Sequence, residues 1–393
     1  MRVHANRKYA PLVLAFALAG CGGSDAPESP GAAADEATLS RLELIGKRLF
    51  FDTSLSNPPG QGCGSCHDPE TGFSGNFGSA MGVPLAADKT TLGVRNTPTA
   101  AYASFTPAFT VTVVGSRLVA HGGQFLDGRA ASLEEQAGMP LFAAGEMNLA
   151  SPAELASRLA DAPYAPLMRE EFGAAVFASP ALVLQSLTVA IAAFERTARF
   201  APFSSKLDNV LAGDGTLSML EGEGMRLFTD PLRGNCARCH VFDRTAPGAS
   251  KRLFTDFGYY NLGVPRNARI PANADPAFFD LGLCGPRRAR VADDRLCGAF
   301  KVPTLRNVSR RTAFMHNGVF TSLRDAVAFH ATRDTAAARW YPSGTAYDDL
   351  PVAFRGNVEQ GMPVLDEAGI DAVVAFLLTL DDGFGPSRAP EGR

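Results

Sequence analysis

A five-residue pattern occurs twice in this 393-residue chain, as Cys63-Gly-Ser-Cys66-His67 and as Cys236-Ala-Arg-Cys239-His240. Two thiols at this spacing form thioethers to the vinyl groups of one haem, and the adjacent histidine ligates its iron. Each copy obliges the surrounding chain to wrap a rigid apolar plate, which restricts the fold more than any local propensity does. Zinc sites and thiol-disulfide exchange share the Cys-x-x-Cys spacing. Neither calls for a histidine directly after the second cysteine, twice in one chain, so two covalently bound haems c are expected.

The amino terminus bears on compartment. Arg2, Arg7 and Lys8 precede an apolar run from Tyr9 to Ala19 that is too short to span a bilayer comfortably, so residues 1–20 read as a secretory signal. Leu18-Ala19-Gly20-Cys21 resembles a bacterial lipobox, in which the cysteine receives a diacylglycerol. An ordinary signal peptide with an incidental cysteine is the alternative. With Cys21 acylated, residues 21–36, rich in Gly, Ala, Ser and Pro, form a flexible tether. The expected location is the periplasm, lipid-anchored to a bacterial membrane.

Of seven cysteines, one is assigned to lipid and four to haem, which leaves Cys284 and Cys297. In an oxidising compartment these two can pair and close a short loop as a structural staple. A hydrophobic content of 46% is ample for two globular domains, and a net charge of -3 gives no basic bias that would suggest nucleic acid.

An internal repeat suggests the architecture. Leu39-Ser40-x-Leu42-Glu43-x-x-Gly46-x-Arg48-Leu49-Phe50-x-Asp52 recurs as Leu217-Ser218-x-Leu220-Glu221-x-x-Gly224-x-Arg226-Leu227-Phe228-x-Asp230, and each copy leads into a haem signature. Apolar residues three and four apart make both segments amphipathic helices. Closing helices are expected over Ala181–Arg199 and Glu367–Leu380. The fold class is therefore mainly α, with two cytochrome c-like helical domains at 37–205 and 206–393, each carrying one haem.

The chain resembles the bacterial di-haem cytochrome c peroxidase and MauG superfamily over residues 36–385. The motifs that carry the resemblance are Cys63-x-x-Cys66-His67-Asp68-Pro69, Arg95-Asn96-Thr97-Pro98-Thr99, Asp127-Gly128-Arg129 running to Gln136, and Phe300-Lys301-Val302-Pro303-Thr304-Leu305-Arg306-Asn307. In the classical peroxidases a displaceable histidine follows the first signature by about sixteen residues, where this chain has Val83. The resemblance then implies a first haem open to hydrogen peroxide, as in the MauG-like branch. It assigns Glu146 as the acid-base group and Gln136 as the residue that positions the peroxide. His121, flanked by glycine, is the alternative candidate near this haem, and an ordinary loop position is the simpler reading.

For the second haem, Ser322-x-x-Asp325 is a capping box, and Leu323, Ala326, Val327 and His330 share one helical stripe. The family has methionine or tyrosine where this chain has His330, so the second haem is expected to be bis-histidine, through His240 and His330. Met315, Met362 and His316 compete as ligands, and a core histidine bonded to a carbonyl is the plainer alternative. Nitrogen ligation leaves a haem at lower potential than thioether ligation does, which weakens the simple peroxidase cycle. So does Leu126, which stands where the family has a tryptophan between the haems. The only tryptophan is Trp340, so electrons must tunnel directly or pass another aromatic such as Phe125. The family also places a calcium ion between its domains. Asn96 matches the asparagine ligand, but the carbonyl positions Arg311 and Ala313 depart from the family's threonine and proline.

The expected function is that of a peroxidase of the cytochrome-c peroxidase type. It would reduce hydrogen peroxide at the open haem, with electrons from a small c-type cytochrome or cupredoxin passed through the second haem. A MauG-like oxidase acting on a partner protein and a non-enzymatic electron carrier are the alternatives. A carrier gains nothing from an exposed iron.

Overall fold

The computed structural model describes residues 36–115, 117–242, 252–285, 293–361 and 364–384; Cys21 and Met362 lie outside them. In chain order its helices are α1 (Arg41–Phe51), α2 (Cys63–Cys66), α3 (Leu133–Phe142), α4 (Pro152–Ala160), α5 (Ala165–Phe172), α6 (Pro180–Glu195), α7 (Lys206–Ala212), α8 (Met219–Thr229), α9 (Leu323–Thr332), α10 (Ala337–Trp340) and α11 (Glu367–Leu378). The described strands are β1 (Thr110–Val114), β2 (Arg117–His121), β3 (Tyr259–Tyr260) and β4 (Phe300–Lys301). They pair antiparallel as β1 with β2 and β3 with β4. The expectation of a mainly α fold holds.

Both copies of the repeat fold as the same capped helix. Ser40 accepts from Glu43 N at the start of α1, and Ser218 accepts from Glu221 N at the start of α8; in each case the glutamate reaches back to the serine N–H. Two orphan donors are thereby satisfied at each end. The repeated glycine has a packing reason. A Cβ on Gly46 would overlap the Ala190 carbonyl on α6, and one on Gly224 would overlap the Ala372 carbonyl on α11. Glycine lets each repeat helix cross its closing helix at backbone contact.

Two hydrophobic cores follow from these crossings. In the first, Ile45, Leu49 and Phe50 of α1 meet Val183, Leu187, Ile191 and Phe194 of α6. Phe50, Phe194 and Phe200 form an edge-to-face trio, with centroids 5.1 to 5.6 Å apart. In the second, Leu227 and Phe228 of α8 meet Ile370, Val373 and Phe376 of α11. Helix α6 stops at Glu195, four residues short of the expected Arg199. Thr197 Oγ1 donates to the Phe194 carbonyl, and the turn it makes drives Phe200 into the core.

Candidate functional site

Each signature folds as one short turn that carries its histidine into an apolar cavity. Cys63, Cys66, Cys236 and Cys239 are free. Burial, reinforced by Glu195, pushes the Cys63 thiol up to about 12. Burial, with Glu146 adding to it, does the same to Cys66, and burial moves Cys236 to the same range. Disulfide-exchange catalysts need the opposite shift, so these are neutral, partly shielded thiols rather than reactive ones.

The two histidines are held alike. His67 Nδ1 faces the Phe73 carbonyl at 3.1 Å, and His240 Nδ1 faces the Phe254 carbonyl at 2.9 Å. A carbonyl only accepts, so Nδ1 carries the proton and Nε2 keeps its lone pair for a metal. Burial holds both rings neutral, lowering His67 and pushing His240 down to about 4. Phe73 and Phe254 share a left-handed backbone, each with φ of +56°. That conformation is uncommon outside glycine, and here it aims a carbonyl at each ring.

A second repeat, not recognised in the sequence, secures those carbonyls. Ser74 Oγ donates to Thr97 O at 3.0 Å, and Thr99 Oγ1 donates to Gly72 O at 2.7 Å. In the other half Thr255 Oγ1 donates to Val302 O at 2.7 Å, and Thr304 Oγ1 donates to Leu253 O at 2.6 Å. The two x-Pro-Thr segments, at Pro98 and Pro303, thus clamp the two histidine loops in the same way.

These segments also divide two cavities. The first, of about 600 Å³, is lined by Cys63, Cys66 and His67 together with Gln136 of α3 and Glu146 beyond it. Among the described residues His67 is the only histidine in that wall; Met139, one turn from Gln136, and the buried Met147 also line it. Glu146 lies within electrostatic reach of Cys63, Cys66 and Arg129. Val83 is fully buried and outside the cavity wall, which Pro84 and Leu85 enter instead.

The second cavity, of about 240 Å³, is lined by Cys236, Cys239, His240 and His330. The stripe over α9 places His330 at its wall. Its Nδ1 faces the Ala326 carbonyl at 2.8 Å, and burial lowers its pKa, so it presents a neutral Nε2 as a metal-bound histidine does. His330 also lowers the pKa of His240 electrostatically, which puts the two rings in the same neighbourhood. Met315 and His316 line this cavity too. The His316 ring is engaged: Nε2 meets Asp349 at 3.2 Å, and the ring stacks on Phe300 at 3.8 Å.

Asn96, Thr97, Pro98, Leu126, Val302 and Pro303 line both cavities. Leu126 therefore sits in the dividing wall, and its neighbour Phe125, which lines only the first cavity, stacks under Arg129 at 3.6 Å. Below them buried Asp127 takes Arg95 at 2.7 Å and Arg129 at 3.0 Å, with Arg95 also on Asp280. Lys301 belongs to the same wall; burial pushes it down to about 7. Trp340 is packed against Phe320 and Phe329 and lines neither cavity. His121 ends strand β2 rather than lying in a loop, packs on Phe257, and lines neither cavity. Cys284 and Cys297 are joined in a disulfide, with Cα atoms 4.9 Å apart. No helix among the described residues is long and apolar enough to cross a membrane.

The model of the family described as di-haem cytochrome c peroxidase matches residues 40–216. The chain is 36% identical over 386 residues to the methylamine utilization protein MauG of Paracoccus denitrificans, covering 95% of this chain and 94% of that protein. It is 32% identical over 313 residues to the cytochrome c551 peroxidase of Nitrosomonas europaea, covering 79% of each. Among solved structures, the diheme peroxidase BthA from Burkholderia thailandensis superposes with a TM-score of 0.80 at 38% identity, covering 87% of this chain and 86% of that one.

Proposed function

From the premise that this chain belongs to the di-haem cytochrome c peroxidase and MauG family, we propose that it reduces hydrogen peroxide at the cavity of Cys63, Cys66 and His67. Electrons reach that cavity through a second haem held by Cys236, Cys239, His240 and His330. The halves 37–205 and 206–393 each supply one of these sites. The observation that carries the reading is that Glu146 and Gln136 share the first cavity with His67 while, among the described residues, no second histidine lines it.

The residues present suit the cofactor: free paired thiols, a neutral Nε2 beside each pair, and apolar cavities around them. A bound haem supplies the iron at which the O–O bond is cleaved. Glu146 would take a proton from one peroxide oxygen and return it to the other, which leaves as water; the two electrons that peroxide reduction consumes come through the second site, and with two protons from solvent the remaining oxygen leaves as a second water. The Gln136 amide holds the peroxide in register by hydrogen bonding. His67, its Nδ1 tied to Phe73 O, would hold the haem iron through Nε2. The first cavity is more than twice the volume of the second, which supports an open position there.

Low-temperature EPR of the oxidised protein, with and without peroxide, tests this reading. A high-spin signal beside a low-spin bis-histidine signal, with the high-spin one consumed by peroxide, is expected. Glu146→Gln should slow peroxide turnover by about 10²-fold or more while both spectra survive. Two low-spin haems inert to peroxide, as a carrier or a Met139-ligated first haem would show, defeat the proposal.

MauG-type oxidation of a partner protein is the second reading. The match to a MauG protein over 95% of the chain favours it. Rapid turnover with a reduced cytochrome or cupredoxin would separate the peroxidase from it. With residues 1–20 as a signal and Cys21 as a lipid anchor, the protein would sit at the periplasmic face of a membrane. Palmitate labelling that persists in Cys21→Ser would refute the anchor.

A further inference from the structure

Arg311 lines the second cavity, and its charge also depresses the pKa of His67 at the first. Its Nη2 is shut off from solvent and has no hydrogen-bond partner among the described residues. Burial alone lowers its pKa, to about 10, with no carboxylate among the described residues offsetting the cost. A guanidinium nitrogen shut off from solvent without a partner is costly, so such a group calls for an anion that the described residues do not supply. A haem carries two carboxylates on flexible propionate arms, and a guanidinium pairs with carboxylate in a two-pronged geometry.

The calcium that the resemblance allows does not fit the same place. Asn96 turns its amide nitrogen, a donor, onto Ala313 O at 2.9 Å and Met315 O at 3.3 Å. Calcium wants oxygen ligands and usually a carboxylate. The guanidinium two residues from Ala313, on the same cavity wall as Asn96, would repel a divalent cation.

We propose that Arg311 is a fixed side-chain cation standing in for the family's calcium ion, neutralised by a propionate carboxylate of a bound haem. This rests on the two-haem reading above. Arg311 is a positioning residue: it acts on the haem environment and takes no part in bond making.

The test uses purified holoprotein and Arg311→Met, Arg311→Lys and Arg311→Thr. Haem content by pyridine haemochrome comes first; fewer than two haems per chain in the wild type would overturn the two-haem reading itself. With two haems present, wild-type calcium far below one per chain by elemental analysis, and spectra unmoved by a chelator, are expected. One tightly held calcium, whose removal changes the haem spectra, would overturn the proposal without any variant. Losing a positive charge beside a haem favours its oxidised form. At a fixed potential near the midpoint, Arg311→Met should lower the ratio of reduced to oxidised haem about tenfold, and Arg311→Lys far less. Equal potentials in wild type and Arg311→Met would also overturn it. Arg311→Thr, which restores the family residue, should shift like Arg311→Met and should gain a response to added calcium.

Discussion

Glu195 closes helix α6, lines the first cavity and is 5% exposed, and its Oε2 has no hydrogen-bond partner among the described residues. Burial pushes its carboxyl up to about 8; adjacent Arg196 opposes this, and Glu134, paired with Arg196 at 2.7 Å, adds to it. The ordinary value is 4.5, so between these limits the folded protein holds a proton that the unfolded chain has released. The folded pKa is the raised one, so this contribution to stability is fully present below the ordinary value and is lost as pH rises through about 8. Glu195→Gln keeps the shape and removes the titration. Denaturation of holoprotein at about pH 5 and pH 8 should therefore show the wild type losing more stability than the variant. Parallel losses would mean that Glu195 is already ionised.

The two repeat helices show how packing, rather than propensity, selects a residue. In α8, Gly224 lies under the Ala372 carbonyl, whereas a Cβ added at Gly222, two residues earlier, would meet nothing within 4 Å. Gly222→Ala should therefore stabilise by about 0.5–1 kcal/mol through helix propensity. Gly224→Ala should destabilise by about 3 kcal/mol or more, because the overlap is with backbone that cannot move aside. Denaturant midpoints of the two variants, on either side of wild type, are the check; a neutral Gly224→Ala would mean that the helices are not in backbone contact. Elements of this kind are legible in the sequence because capping serines, glycines and apolar spacings recur in register. The haem signatures, the cap at Ser322 and the place of His330 on α9 are legible for the same reason. The clamp around each histidine is not. His67 meets Phe73 six residues on, whereas His240 meets Phe254 fourteen residues on. The threonine bonds span 27 residues in one half and 51 in the other. Unequal insertions conceal a repeat that exists only in three dimensions. Arg311 is visible in the sequence only as a backbone position, since a side chain's lack of partners has no sequence signature.

At the scale of the whole molecule, function depends on how the dividing wall and the two axial environments set the direction of electron flow. Leu126 lines both cavities and Phe125 only the first, so the wall offers no indole between the sites. On the proposed two-haem reading, the difference in potential between the sites sets the direction of electron transfer across it. His330 is the residue best placed to set that difference. It shares the second cavity with His240, its Nδ1 is spent on Ala326 O, and its ring is held neutral. Replacing nitrogen by a thioether raises haem potential, so His330→Met should raise the potential of the second haem. It should also speed steady-state peroxide reduction with a high-potential cytochrome donor. The reaction of peroxide at the first haem, followed by stopped flow in the absence of donor, should be unchanged, because Glu146, Gln136 and His67 are untouched. Loss of the low-spin bis-histidine EPR signal should accompany the shift. If that signal survives in His330→Met, the sixth ligand lies elsewhere, and the second cavity's small volume would have to be filled by Met315 or by a residue outside the described segments.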